Sequence, residues 1–202
     1  MKVKICGLNP TRDVKVCIDL NVNYLGFIFY EKSPRNINLR DIKLLSSYDK
    51  KNSAYVAVTV NPSNDFIEEN LKGNFEFIQL HGSETKNRIN EIKNMGFKII
   101  KTIKVKNIND IDKYKEFDNA DIILFDTPGM EKSLEFPKNL ISKIPNGSKY
   151  ALAGSVSEYN VENISKLGVN FFDLSSSLEG QLGYKDHRKI KSFMNKINEI
   201  NN

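Results

Sequence analysis

The chain is short of cysteine: Cys6 and Cys17 are its two thiols, and no CxxC pair or His/Cys cluster stands at metal-ligand spacing. That excludes a disulfide framework and gives no support to a zinc site. No apolar run approaches the roughly 20 residues of a membrane-spanning helix. Strand-like residues begin at Val3, leaving no room for the apolar core of a signal peptide, so the expected location is the cytoplasm. No block of one charge is present either. The 30 Lys and Arg exceed the 25 Asp and Glu by a net +5, but they are scattered, as at Lys50-Lys51, Lys104, Lys138 and Arg188-Lys189. Scattered cations make a solvated surface rather than a nucleic-acid arm, so neither nucleic acid nor membrane is an expected partner.

What is there is a recurrence. Short runs rich in β-branched and aromatic residues lie at Val3–Ile5, Tyr24–Phe29, Tyr55–Val60, Phe75–Leu80, Lys98–Ile103, Asp121–Phe125, Tyr150–Ala153 and Phe171–Leu174. Between them apolar residues fall at helical spacing, as in Val14, Cys17, Ile18 and Val22, or Ile89, Ile92 and Met95. The sets Ile42, Leu44, Leu45 and Val161, Ile164, Leu167 read the same way. Asn9-Pro10, Ser63, Ser83 and Ser157 are expected to open helices, and Gly96 and Gly168 to follow their ends. The runs start roughly 20 to 31 residues apart and no linker interrupts them. The expectation is an α/β fold of one domain over residues 1–202. Eight βα units can close as a (β/α)8 TIM barrel or lie as an open doubly wound sheet. The count favours the barrel, and the first strand lacks the G-x-G-x-x-G that an open dinucleotide-binding sheet would carry.

In a barrel the reactive groups sit where the strands end. That rule selects Cys6, Arg35, His81, Asp126 and Asp173. Period-two alternation puts Cys6 on one face with Lys4, and Asp126 with Ile122 and Leu124, so a thiol and a carboxylate can both point inward as a base and an acid. Plainer readings stand beside these. Cys17 reads as a small buried hydrophobe, Cys6 divides between structure and catalysis, Asp126-Thr127-Pro128-Gly129 also makes a turn, and His81 also suits a loop beside a helix start. After the seventh and eighth strands, Gly154-Ser155 and Ser176-Ser177 are small enough to let the backbone approach a phosphate.

With these residues assembled, the sequence resembles the phosphoribosylanthranilate isomerase family nearly from end to end. The resemblance is carried by Lys4-Ile5-Cys6-Gly7-Leu8, by Gly26 to Arg35, and by Gln79-Leu80-His81-Gly82. Phe125-Asp126-Thr127-Pro128-Gly129, Leu152-Ala153-Gly154 and Gly183-Tyr184-Lys185-Asp186 follow in the family's order. It implies an Amadori rearrangement in tryptophan biosynthesis, with no cofactor and no metal. Asp126 is then the general acid on the ring oxygen and Cys6 the general base at C2′. Arg35 holds the anthranilate carboxylate, His81 and Asp173 contact substrate, and Gly154, Ser155, Ser176 and Ser177 hold phosphate. The partner is a phosphorylated small molecule, and the assembly a monomer or homodimer.

Three departures from the family pattern stand out. The loop after strand six is short, running from Gly129 through Met130-Glu131 to Lys132, and Ser155 and Ser177 replace glycines. The short loop implies a smaller cover over 130–135 or a more open mouth, hence modest catalysis. Two other readings are kept. One is a different sugar-phosphate barrel, an epimerase or decarboxylase, which would not need Arg35 or the Cys6 and Asp126 pair. The other is a non-catalytic relic that binds a phosphorylated ligand, which the short loop favours and the intact pair opposes.

Overall fold

The computed structural model describes residues 1–128, 136–154 and 156–202. Eight parallel strands close into a barrel in chain order: β1 (Lys2–Cys6), β2 (Tyr24–Phe29), β3 (Ala54–Thr59), β4 (Phe77–Leu80), β5 (Lys98–Lys104), β6 (Ile122–Asp126), β7 (Tyr150–Leu152) and β8 (Phe171–Leu174). Closure is made by β1 against β8, with Lys4 opposite Asp173. The expected strands are all found, and the barrel rather than the open sheet is the architecture. Several boundaries shift by a residue, with Val60, Asp121 and Ala153 falling just outside their strands, and the β4 start moves by two: Phe75 precedes it and packs its ring against Phe27 and Phe29 outside the barrel.

Alternation along the strands builds two separate apolar bodies. Residues such as Val3, Ile5, Leu25, Ile78, Ile99 and Ile123 face outward and meet the helices. Val56, Val58, Phe77, Ile100, Ile122, Leu124 and Phe171 face inward and fill the barrel. At the start of the strands Tyr24 stacks on Phe171 at 5.1 Å and meets Phe77 edge-on at 5.3 Å, plugging that end. Moving along each strand the inward row turns polar, from Phe171 to Asp173, from Leu124 to Asp126 and from Ile100 to Thr102 and Lys104. The open end of the barrel is therefore the polar one.

The surrounding helices are short apart from α4 (Lys86–Asn94) and α8 (His187–Asn201); the others are α1 (Val14–Asp19), α2 (Ile42–Leu45), α3 (Asn64–Phe66), α5 (Ile108–Asp112), α6 (Lys138–Ile141) and α7 (Val161–Ser165) among the described residues. In α8, Ile190, Phe193, Met194 and Ile197 are buried at i, i+3, i+4 and i+7, and Asp186 caps it by accepting from the Arg188 amide. Ser63 caps α3 as expected, accepting from the Phe66 amide. Three other expected starts move. Thr85 caps α4, because the Ser83 amide is tied to the Asn61 side chain in the preceding loop. The Ser157 amide donates to Asn160 Oδ1 in a turn, so that α7 begins at Val161. Asn9 and Pro10 open a turn in which the Asn9 carbonyl accepts from the Arg12 and Asp13 amides, and α1 proper starts at Val14. Leu44 and Leu167 are exposed: Leu44 stands two positions after the buried Ile42 and so on the far side of α2, and Leu167 lies beyond the end of α7.

After β8 comes a hairpin that no sequence pattern had indicated, β9 (Glu179–Gln181) against β10 (Tyr184–Lys185). At its bend Gly183 passes so close to the β2 loop that a Cβ there would sit 2.8 Å from the Pro34 carbonyl oxygen. Two buried charges meet outside the barrel behind β4. Lys101 Nζ bonds Glu84 at 2.8 Å and the Gly82 carbonyl at 2.9 Å, and Glu84 Oε1 accepts from the Asn61 and Gly82 amides. This cluster fixes the turn that follows His81. Lys101→Met leaves the Glu84 carboxylate buried with its cation gone, and a loss of about 3–5 kcal/mol is expected. Urea unfolding checks it; an unchanged midpoint and slope would show that the pair adds nothing to the fold.

Candidate active site

The polar end of the barrel opens into a cavity of about 400 Å³. Cys6, Arg35, His81, Asp126 and Asp173 all line it, as do Gly154, Ser176 and Ser177. Ser155 and the segment 130–135 lie outside the described residues. Every described member of the expected site thus faces one space, which follows from parallel strands delivering their last inward residue to the same rim.

Cys6 ends β1 and is 7% exposed. Behind it Gly7 has φ +73°, a left-handed conformation, and a Cβ there would come within 2.6 Å of Arg35 Cδ. Glycine is required by both. The chain thus turns sharply beneath the thiol and lets the Arg35 stem lie on the backbone. Burial pushes the Cys6 thiol above its ordinary pKa; Lys4 and Lys185 oppose the shift and Asp173 reinforces it.

Asp126 ends β6, with β7 and β8 separating it from β1 around the ring. Its carboxyl is pushed up to about 7, first by burial and then by the negative Asp173; the Thr127 amide, Lys4 and Lys104 pull the other way. A carboxyl protonated near neutrality is what a general acid requires. His81 moves in the opposite direction, down to about 3, through burial and the cations Lys4, Lys104 and Lys101. It is a neutral imidazole at physiological pH, able to exchange hydrogen bonds without carrying charge.

Two expected substrate contacts are already engaged within the protein. Asp173 receives Lys4 Nζ on both oxygens, at 3.0 and 2.9 Å. Arg35 offers Nε and Nη2 to the two oxygens of Glu179, at 2.6 and 2.9 Å, the planar fork that arginine makes with a carboxylate. Glu179 also receives Lys185 Nζ at 2.8 Å and the Gly183 amide at 3.3 Å. Burial alone would raise the Glu179 carboxyl, but Arg35 and Lys185 outweigh it and hold it below the usual range. Gly154 has φ +100°, and the cavity wall opposite continues through the 3₁₀ turn Ser176–Leu178. Among the described residues no group of three His, Cys, Asp or Glu comes together to hold a metal ion.

Sequence reasoning missed Lys4, Lys104, Glu179 and Lys185. Lys4 carried a signal, since alternation had already put it inward beside Cys6. Lys104 would have followed from the strand-end rule had β5 been extended by one residue, and it lies opposite Asp126 in the register. Lys185 lay within the Gly183-Tyr184-Lys185-Asp186 stretch that carries the resemblance but was given no role, and Glu179 carried no signal, because the hairpin that brings them to Arg35 was unforeseen.

The environment of Asp126 gives a direct expectation. Its carboxyl should titrate near pH 7 by carbon NMR, and Asp173→Asn should lower the midpoint, because a like charge is removed and Lys4 loses its partner. A midpoint near 4 in the unaltered protein would overturn the assignment.

Comparison with known proteins places these features in a family. The sequence profile described as N-(5'phosphoribosyl)anthranilate (PRA) isomerase matches residues 3–196. The N-(5'-phosphoribosyl)anthranilate isomerase of Petrotoga mobilis is 35% identical over 209 residues, covering 99% of this chain and 98% of that relative. Among solved structures, one of monomers made from the dimeric phosphoribosylanthranilate isomerase of Thermotoga maritima superposes with a TM-score of 0.83 at 25% identity, covering 98% of this chain and 99% of that one. A phosphoribosylanthranilate isomerase in complex with reduced 1-(o-carboxyphenylamino)-1-deoxyribulose 5-phosphate matches with the same score, identity and coverage.

Proposed function

The chain belongs to the N-(5'-phosphoribosyl)anthranilate isomerase family, and from that premise we propose how its own residues carry out the reaction. The enzyme is an isomerase of tryptophan biosynthesis that converts N-(5-phosphoribosyl)anthranilate to 1-(2-carboxyphenylamino)-1-deoxyribulose 5-phosphate. The observation that carries the assignment of roles is the shared cavity, with the Cys6 thiol and a carboxyl of pKa about 7 on Asp126 facing one space.

Protonated Asp126 gives its proton to the ribose ring oxygen as the C1′–O bond breaks, and the nitrogen lone pair forms the C1′=N bond of a protonated Schiff base. Cys6, as thiolate, then takes the C2′ proton. The C–H electron pair becomes a C1′=C2′ bond and the nitrogen recovers its lone pair. Ketonisation moves the 2′-hydroxyl proton out and brings one to C1′. The electrons balance within the substrate, and the C2′ alcohol is oxidised as C1′ is reduced.

Arg35 is the carboxylate-binding cation of this reading, and His81, as a neutral imidazole, and Asp173 are its other substrate contacts, both lining the cavity. The phosphate is assigned to the loops carrying Gly154-Ser155 and Ser176-Ser177, where backbone amides serve as donors. The bound product analogue of the solved relative supports a phosphorylated ligand of this class. We take residues 1–202 as one domain, acting as a monomer or homodimer, the relative from Thermotoga maritima being described as dimeric. Two free thiols suit the reducing cytoplasm. No described helix is long and apolar enough to cross a membrane. The match over residues 3–196 displaces the epimerase and decarboxylase readings.

Loss of phosphoribosylanthranilate fluorescence on adding purified protein tests the activity, and its absence would favour the relic. In the same assay Cys6→Ala and Asp126→Asn should each lower kcat by about 10²- to 10⁴-fold with an unchanged circular dichroism spectrum. A folded Cys6→Ala enzyme of native turnover would remove the base assignment. Arg35→Ala should raise KM more than it lowers kcat, because a carboxylate remote from the reacting carbons is held equally in ground and transition states. A collapse of kcat at constant KM would move Arg35 into the chemistry.

A further inference from the structure

The inner rows of β1 and β8 carry a charge pair that the reaction as outlined does not use. Lys4 points into the barrel two residues before Cys6 and is 1% exposed, its Nζ held by both oxygens of Asp173. Its head lies against the β2 backbone at Gly26. A Cβ there would sit 3.1 Å from Lys4 Nζ and 3.2 Å from both Lys4 Cε and Cys6 Cα, so the missing side chain is what leaves room for an ammonium beside Cys6. The ammonium also interacts with the Cys6 sulfur.

Cys6 requires such a neighbour. A thiol has no lone-pair basicity to match a thiolate, and burial favours the neutral thiol. The charged groups around it are Lys4 on its own strand, Asp173 on β8 and Lys185 on β10, with Arg35, His81, Lys104 and Asp126 around the cavity. Lys185 and Arg35 are ion-paired to Glu179, and His81 is neutral. Lys104 stands at the end of β5, beside Asp126. Lys4 is the cation that shares the inner row of β1 with Cys6, and its head and the Cys6 backbone crowd the same bare position at Gly26.

We propose that Lys4 is a positioning residue for the isomerisation: its ammonium is the counter-ion that favours the Cys6 thiolate against the burial that opposes it, and Asp173 with the bare backbone of Gly26 fixes the ammonium in that place. The proposal rests on Cys6 being the general base. Lys4 transfers no proton. It stays an ammonium while the thiolate takes the C2′ proton, and Asp173 remains its counter-charge afterwards.

Iodoacetamide alkylation of the full-length protein across pH, with mass spectrometry to separate Cys6 from the buried Cys17, reads the thiolate directly. The Cys6 midpoint should rise by about 1–3 pH units in Lys4→Met and fall in Asp173→Asn. At neutral pH, kcat of Lys4→Met should fall about tenfold or more, with KM changed by less than about threefold. Because Lys4→Met strands a buried carboxylate, the double variant Lys4→Met/Asp173→Asn is compared with Asp173→Asn alone; removing the ammonium in that neutral background should again raise the midpoint. A midpoint unmoved by loss of Lys4 in either background overturns the proposal. So does a rise in Asp173→Asn matching that in Lys4→Met, the pattern of lost packing rather than lost charge. A fully active Cys6→Ala enzyme would strike the general-base reading instead, and the alkylation profiles would still decide whether Lys4 acts on the sulfur.

Discussion

An ammonium buried at the centre of a barrel must be neutralised there, and the ion pair of Lys4 with Asp173 is the constraint around which the inside of this molecule is arranged. Dehydrating both groups costs several kcal/mol each before their attraction and hydrogen bonds are counted. Burial pulls the Lys4 ammonium down, yet the Asp173 carboxylate outweighs it and holds its pKa above the ordinary value. The pair also requires β1 and β8 to be neighbours in one register, which is the seam that closes the barrel. Gly26 on the other side of β1 supplies the space. A register slip of one residue at this seam would turn one of the two charges into the apolar outer shell and leave the other unpaired inside.

The same pair divides the barrel in two. Toward the strand starts lie Tyr24, Phe77 and Phe171, packed ring on ring, while toward the strand ends lie groups whose ionisation matters. Asp173 raises Asp126 and Cys6, whereas Lys4 lowers both. The proposed acid and base are thus influenced by one dipole, and which end of it each group feels more strongly depends on where the two charges are anchored. Anchoring requires rigid strands rather than loops, and both residues sit within strands.

Legibility in the sequence followed the range of the interactions. The β2 and β8 boundaries were readable to the residue because β8 is buried along its whole length and β2 through its middle, and polar residues flank both runs on at least one side. Cys6, Asp126 and His81 were found because a strand end is a local pattern. Helix starts at Ser83 and Ser157 were misplaced because Asn61 and Asn160 compete for those serine amides, and for Ser83 the competing side chain comes from a distant loop. Glu179 escaped notice for a related reason. Its meaning lies in Arg35, 144 positions earlier, and depends on a hairpin whose strands are three and two residues long.

That hairpin bears on how a carboxylate substrate would enter. The Arg35 fork already holds a carboxylate, so in the role proposed for it an incoming anthranilate group would exchange like for like rather than meet a solvated cation. Such an exchange is cheap only if the displaced partner is not stranded. Glu179 would keep Lys185 Nζ and the Gly183 amide after losing Arg35, and Lys185 also reaches the Ser175 carbonyl on the cavity wall. The charge pairing therefore survives when the fork changes hands, and the net gain comes from shape and from the rest of the ligand. Under the proposed role, selectivity for a carboxylate at that position would depend on planar, two-point geometry, and Glu179 engages Arg35 in that two-point geometry while the stem lies against Gly7.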